Sequence, residues 1–204
     1  MTGTLPHDPY NIIITGVGGQ GNVLASRLLA NMFVRMGHKV TIGETFGMSQ
    51  RGGPVMSHIR VSSQGAWSPQ IPRAKADLVV ALEPAEAIRV LADYGNPGTT
   101  SVVNMRPIYP VGVLSGEAEY PAPEKVREVV TALSGRAYFL DATAEAVKLG
   151  NPILSNIIMV GAVAGLNALP VDTELFAEAI RQSMPASRVE ANLRALAIGE
   201  ALVT

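Results

Sequence analysis

Short apolar runs alternate with longer periodic stretches along this chain. Asn11 to Thr15 reads Asn-Ile-Ile-Ile-Thr, a β-branched run that stops at glycines, as a strand buried on both faces does. From Asn22 to Met36 the apolar residues Val23, Leu24, Leu28, Met32 and Met36 return at helical spacing, and Gly37 follows as a C-terminal stop. Lys39 to Glu44 predicts a second strand. Strand, glycine turn, helix and strand then make a βαβ unit, right-handed as such units are. Thr45 to Pro54 has no period and reads as a loop. Val55 to Val61 alternates as a strand, and Ser62 to Gly65 makes a turn. Ala76 to Leu82 is a further apolar strand, after which Glu83-Pro84 opens a helix with proline near its first position.

Thr99 to Asn104 predicts another strand. Met105 to Pro123 carries Pro107, Pro110, Pro121 and Pro123, which predicts an extended excursion without regular helix. Glu124 to Leu133 reads as helix and Ala137 to Asp141 as strand. Ala142 to Thr204 is alanine-rich and helical, interrupted near Pro152, Pro170 and Pro185. Strands alternating with helices, then a helical tail, predict an α/β fold: a three-layer sandwich around a mostly parallel, Rossmann-like sheet with a helical C-terminal segment. Neither an internal repeat nor a linker divides the sequence, so residues 1–204 read as one domain.

Composition narrows the function more than the fold. With 16 basic and 17 acidic residues the net charge is -1, which gives no global attraction to nucleic acid or an anionic membrane. The chain has no cysteine, which excludes disulfides, thiolate zinc sites, cysteine nucleophiles and cysteine-ligated iron–sulfur clusters. His7, His38 and His58 lack metal-ligand spacing, so no metal site is expected. Met1 to Tyr10 is polar and unlike a secretory signal, and Ile157 to Leu166 falls well short of the ~20 apolar residues that cross a bilayer. The expectation is a soluble, cytoplasmic protein.

Two segments carry candidate chemistry. Gly16-Val-Gly18-Gly19-Gln20-Gly21 lies between the first strand and the first helix. In a nucleotide site of this pattern Gly16 allows the tight turn, Gly18 the approach of a phosphate, and Gly21 close packing of helix on strand. The unpaired N–H groups of the helix start favour an anion. Glu44 stands near where a ribose-binding acid would lie. A turn of this kind is equally glycine-rich where a helix merely crosses close to a sheet. The second segment runs Glu44-Thr-Phe-Gly-Met-Ser-Gln-Arg-Gly-Gly-Pro-Val-Met-Ser-His-Ile-Arg60. Arg51 offers it a planar fork of donors for phosphate or carboxylate. Phe46, Met48 and Met56, with Ser49, Gln50, Gly52 and Gly53, form the mixture found in interface cores. Four other residues have structural roles as their first expectation: Asp141 and Asn151 as helix caps, His58 as a satisfied interior histidine, Arg106 as an anchor of the proline-rich excursion, with anion contact at the sheet edge as its alternative.

The glycine loop at 16–21, the Ser49-Gln-Arg-Gly-Gly53 loop and Ser57-His-Ile-Arg60 together resemble the gamma subunit, or gamma domain, of 2-oxoacid:ferredoxin oxidoreductases. Asn104-Met-Arg-Pro-Ile-Tyr-Pro-Val111, Gly116-Glu-Ala-Glu-Tyr-Pro121, Asp141-Ala-Thr143, Gly150-Asn-Pro152 and Glu190-Ala-Asn-Leu-Arg194 resemble the indolepyruvate branch, its beta subunit, in particular. The resemblance implies a complex in which thiamine diphosphate decarboxylates a 2-oxoacid, electrons pass through iron–sulfur clusters to ferredoxin, and the acyl group leaves on coenzyme A. Without cysteine or a clear Gly-Asp-Gly thiamine motif, this chain leaves thiamine diphosphate, magnesium and the clusters to a larger partner subunit. Its own share is then the coenzyme A or substrate side of the site and the subunit interface, with no catalytic residue. The chain alone is expected to be inactive, and either to self-associate or to be partly unstable without its partner. Two other readings stay open here. One is an independent dinucleotide-binding oxidoreductase, which would leave the second loop unexplained. The other is an assembly module whose glycines serve packing.

Overall fold

A computed structural model describes residues 5–47, 53–166, 169 and 173–203. β1 (Tyr10–Val17) is buried along its whole length. It turns through the glycine loop into α1 (Asn22–Arg35), which leads to β2 (Lys39–Phe46), β3 (Pro54–Ser62) and β4 (Leu78–Ala81). α2 (Pro84–Tyr94), β5 (Thr100–Asn104), the one-turn α3 (Val111–Leu114), α4 (Pro123–Ala132) and β6 (Arg136–Leu140) follow. α5 (Ala142–Lys148), a 3-10 turn (Pro152–Leu154), α6 (Ser155–Gly165), α7 (Thr173–Ser183) and α8 (Ala186–Ala201) complete the chain.

The six strands lie in the order β2-β3-β1-β4-β5-β6, with β1, β4, β5 and β6 parallel. Strand period sorts the apolar residues between two layers. Ile12, Ile14, Leu78, Val80 and Val102 face α1 and the C-terminal helices, while Ile13, Val79, Ala81 and Val103 face α2 and α4. This is the predicted three-layer sandwich.

The expected βαβ unit is split. β3 lies between β1 and β2 and is antiparallel to both, from Tyr10↔Val61 to Val17↔Pro54 on one side and Lys39↔Ser62 to Phe46↔Val55 on the other. Burial explains the order: Val55 to Ser62 is buried throughout, so β3 needs cover on both faces, whereas β2 is half exposed and takes the edge. The segment expected as a loop from Thr45 to Pro54 is correspondingly shorter, since Thr45, Phe46 and Pro54 extend the hairpin. The proline-rich excursion, expected without helix, contains α3. Pro110 stands as its N-cap, where a missing N–H costs nothing. Leu24, placed in the apolar period of α1, is exposed.

α6 is buried at every residue and crosses α8 at close range. A Cβ on Gly165 would stand 2.5 Å from the Glu200 carbonyl oxygen, and one on Gly161 or Gly199 would overlap the facing backbone outright. Among the described residues no helix is long and apolar enough to cross a membrane.

Candidate functional site

The parallel strands end together on one edge of the sheet, and the glycine turn sits there. A cleft of about 810 Å³ opens along this edge. Gly18, Gly19 and Gln20 form one wall, and Met105, Arg106, Pro107 and Ile108, leaving β5, form another. Asp141, Thr143 and Ala144 after β6, with Pro152, Ile153 and Ser155 before α6, close the rest. The first N–H groups of α1 lack a carbonyl one turn back and a side-chain cap, so its positive end meets this region, whereas the 3-10 turn before α6 already takes up the Ser155 N–H.

The four glycines of the turn differ in what surrounds them. At Gly16 a Cβ would meet Gln20 Oε1 at 2.5 Å, Asn22 Oδ1 at 2.9 Å and Leu82 Cβ at 3.0 Å, so this position is glycine for lack of room. Gly21 has φ +83°, and a Cβ there would run into the Asn156 amide of α6. Its closest neighbours thus belong to α6 and Ile153 rather than to the strand. Gly19 has φ +104° and nothing within 4 Å of a Cβ position. Gly18 donates its N–H to the Gly53 carbonyl at 2.8 Å, which joins the first loop to the end of the second.

Gln20 is committed to the frame. Its Oε1 accepts the Val17 N–H and its Nε2 donates to the Leu82 carbonyl, both at 2.8 Å. The same carbonyl accepts the side-chain amide of Asn104 at 3.1 Å, and Asn104 also exchanges bonds with Thr143 through Nδ2···Oγ1 at 2.9 Å and N–H···Oδ1 at 3.3 Å. One backbone oxygen at the end of β4 therefore ties the glycine turn to β5 and the start of α5. Sequence reading passed over Asn104, whose only local signal is a polar residue ending an apolar strand.

The other candidates divide. Phe46 is 60% exposed and lines, with Gly19, Val55 and Ile153, a hollow of about 350 Å³ on the β2 side of the turn. Met56, expected in the contact surface, is instead buried in the chain's own core beside Ile13, Ile71 and Val79, because its position on β3 faces the α2 layer. Met48, Ser49, Gln50, Arg51 and Gly52 lie outside the described residues. Glu44, on β2, is separated from β1 by the whole of β3, roughly two strand spacings or about 10 Å from the turn's own strand, unlike a ribose-binding acid on the neighbouring strand. Asp141 caps α5 by accepting the Ala144 N–H at 3.1 Å, and Asn151 accepts the Ile153 N–H at 3.2 Å. His58 is interior, accepting the Ile71 N–H at 3.4 Å, and its pKa is held down by burial first and the Arg60 charge second. Arg106 is exposed and reaches the cleft wall opposite the glycine turn. No cluster of three metal-ligating side chains occurs among the described residues.

Residues 11–202 match the family model described as pyruvate ferredoxin/flavodoxin oxidoreductase. The chain belongs to this family. Within it, the chain is 38% identical over 191 residues to the indolepyruvate oxidoreductase subunit IorB of Pyrococcus horikoshii, covering 93% of this chain and 94% of that one. The fold is shared with the pyruvate oxidoreductase subunit PORC of Thermotoga maritima, at TM-score 0.72 and 21% identity over 96% of this chain and 97% of that one. It is shared too with the 2-oxoglutarate:ferredoxin oxidoreductase of Magnetococcus marinus, solved with 2-oxoglutarate, coenzyme A and succinyl-CoA bound. There the TM-score is 0.73 and the identity 22%, over 97% of this chain and 31% of that longer one. Like its family relatives, the chain is a subunit of an oxidoreductase complex.

Proposed function

We propose that this chain is the small accessory subunit of an indolepyruvate-type (aryl-2-oxoacid) ferredoxin oxidoreductase, acting in the cytoplasm as one domain. A larger subunit carries thiamine diphosphate, magnesium and the iron–sulfur clusters and passes electrons to ferredoxin. The residues of this chain do not fit those groups: it has no cysteine, and its described residues hold no acidic or histidine cluster for a metal. No step of decarboxylation or electron transfer is therefore assigned to it.

Its contribution is to hold coenzyme A at the rim of the site. The observation that carries this reading is Gly19, open on its Cβ side and in a backbone conformation that side chains disfavour, on a cleft edged by the start of α1 and Arg106. Phosphate oxygens accept from N–H groups at the uncapped start of α1, those of Gly18 and Gln20 being already bonded. The loop that carries Arg51 in sequence ends at Gly53, whose carbonyl accepts the Gly18 N–H, and this supports Arg51 as a second contact. Bringing the acyl acceptor to a fixed position turns its encounter with the partner's acyl group into a local event. Phe46, at the outer rim, faces the larger subunit.

The test uses the assembled complex, with coenzyme A as the varied substrate. Gly18→Leu should block phosphate approach, and Arg51→Ala should remove a charge-assisted hydrogen bond, a loss of about 1.5–3 kcal/mol in apparent affinity. Variants that assemble normally and keep the wild-type KM for coenzyme A would refute the cradle. The chain on its own should be colourless and fail to turn over indolepyruvate, and activity should require the co-expressed larger subunit.

A further inference from the structure

Beside the cleft lies a buried carboxylate with no role so far. Glu83 stands between β4 and α2 and is 1% exposed. Its Oε2 accepts the Glu86 N–H at 2.9 Å and so caps α2. Capping alone favours shorter side chains such as Asp, Asn or Ser. The extra length of glutamate lets the other oxygen reach away from the helix. Oε1 accepts the Ile108 N–H at 3.3 Å and the phenol of Tyr120. The Tyr120 oxygen in turn accepts the Ala85 N–H at 3.2 Å. Burial, and after it the bond to Glu83, holds the Tyr120 phenol above its ordinary pKa, so it remains a donor.

Ile108 lies on the outbound limb of the excursion between β5 and α4, and Tyr120 lies on the returning limb. One carboxylate thus ties both limbs at the neck. Tyr109 stands edge-on to Tyr120, their ring centroids 5.1 Å apart, and Pro84, Pro107 and Pro121 line the apolar hollow around them. Arg106 sits between two backbone anchors: Met105 N–H bonds to the Leu140 carbonyl at 2.8 Å, and Ile108 N–H bonds to Glu83.

We infer that Glu83, with Tyr120, is a positioning residue that sets the Arg106–Ile108 wall of the cleft and, through it, the grip of Arg106 on the anionic part of coenzyme A. The inference rests on the reading of the cleft proposed above. Without the neck, the segment that carries Arg106 would be anchored on one side only, and its guanidinium would be spread over many positions. The apolar contacts of Tyr109 alone fix no register, since they are not directional.

The experiment compares Glu83→Asp, Tyr120→Phe and Arg106→Ala in the assembled complex, again with coenzyme A varied. Aspartate still caps α2 but is too short to reach the neck. Both Glu83→Asp and Tyr120→Phe should raise the KM for coenzyme A about three- to tenfold, the size of one lost buried hydrogen bond, with kcat within about twofold. In the purified chain the Ile108 amide should exchange its hydrogen at least about tenfold faster in both variants, while Tm for Glu83→Asp stays near wild type. A Glu83→Asp complex with wild-type KM and protected Ile108 would overturn the positioning role and leave Glu83 a helix cap. If Arg106→Ala raises KM and the two neck variants do not, the positioning role fails while the cleft reading stands. If Arg106→Ala and Gly18→Leu both leave KM unchanged, the cleft reading fails and takes the inference with it.

Discussion

At the crossing of α6 and α8, a Cβ on Gly161 would overlap the Leu196 carbonyl oxygen and one on Gly199 that of Ile158. In the β1–α1 turn, a Cβ on Gly19 would meet nothing within 4 Å, yet its φ is +104°. The first pair is glycine because another backbone occupies the space, and the second because the chain turns where side chains disfavour it. Only the second kind leaves room for a guest. The turn itself contains both: Gly16 and Gly21 are crowded by Gln20, Asn22 and Asn156, while Gly19 is open. A glycine-rich turn is thus a packing device and a ligand edge at once, divided residue by residue.

The largest effect should come from the helix crossing. Gly199→Ala must push apart two backbones that cannot yield as a side-chain tip can, and it is expected to cost about 3 kcal/mol. Thermal unfolding should then show a drop in Tm of roughly 6–12 °C. An unchanged Tm would erase the distinction between the two sets. Gly21→Ala comes next, at about 2 kcal/mol, from a left-handed backbone plus the Asn156 clash. Because the obstacle is the end of a side chain, adding Asn156→Ala should return part of that loss. Strict additivity of the two changes in a denaturant titration would show that Asn156 is not the obstacle. Gly19→Ala should be mildest for stability, about 1 kcal/mol of backbone strain with no clash. Its signature belongs in coenzyme A binding by the assembled complex, where a methyl group on the open edge should weaken affinity more than the stability change accounts for. A Gly19→Ala protein that loses as much stability as Gly199→Ala would sharpen the comparison against us.

Much of the architecture was legible in order along the chain. The Ile12–Ile14 run, the glycine turn, the period of α1 and the proline at Pro84 each announce themselves within a few residues. What the sequence did not reveal depends on distant partners. β3 was visible as a strand, but its place between β1 and β2 was not, because its buried residues include Ser57, His58, Arg60 and Ser62, and polarity argues for an edge. Placing β2 next to β1 then put Glu44 in a ribose-binding position it does not occupy. Met56 was grouped with the loop before it, although it stands on β3; its neighbours in space are core. Glu83 was read as a helix start and nothing more, since Ile108 and Tyr120 lie 25 and 37 residues further on. Arg106 was legible only as an anchor of the proline-rich excursion, with contact at the sheet edge as the alternative, because its facing wall, Asp141 to Ser155, lies 35 or more residues further on. Of the second loop, only its two ends, Phe46 and Gly53, can be placed against the turn.

The Leu82 carbonyl accepts two side-chain amides, one from Gln20 in the glycine turn and one from Asn104 at the end of β5. A carbonyl oxygen has two lone pairs, and here both are engaged. Strand tips are ordinarily the loosest parts of a sheet and drift separately, so a groove laid across several of them breathes as they do. Pinned to one atom, the glycine turn and the β5 tip beneath the Arg106 wall are tied at a fixed spacing. The fold holds a tolerance across this rim by giving its two sides a common origin.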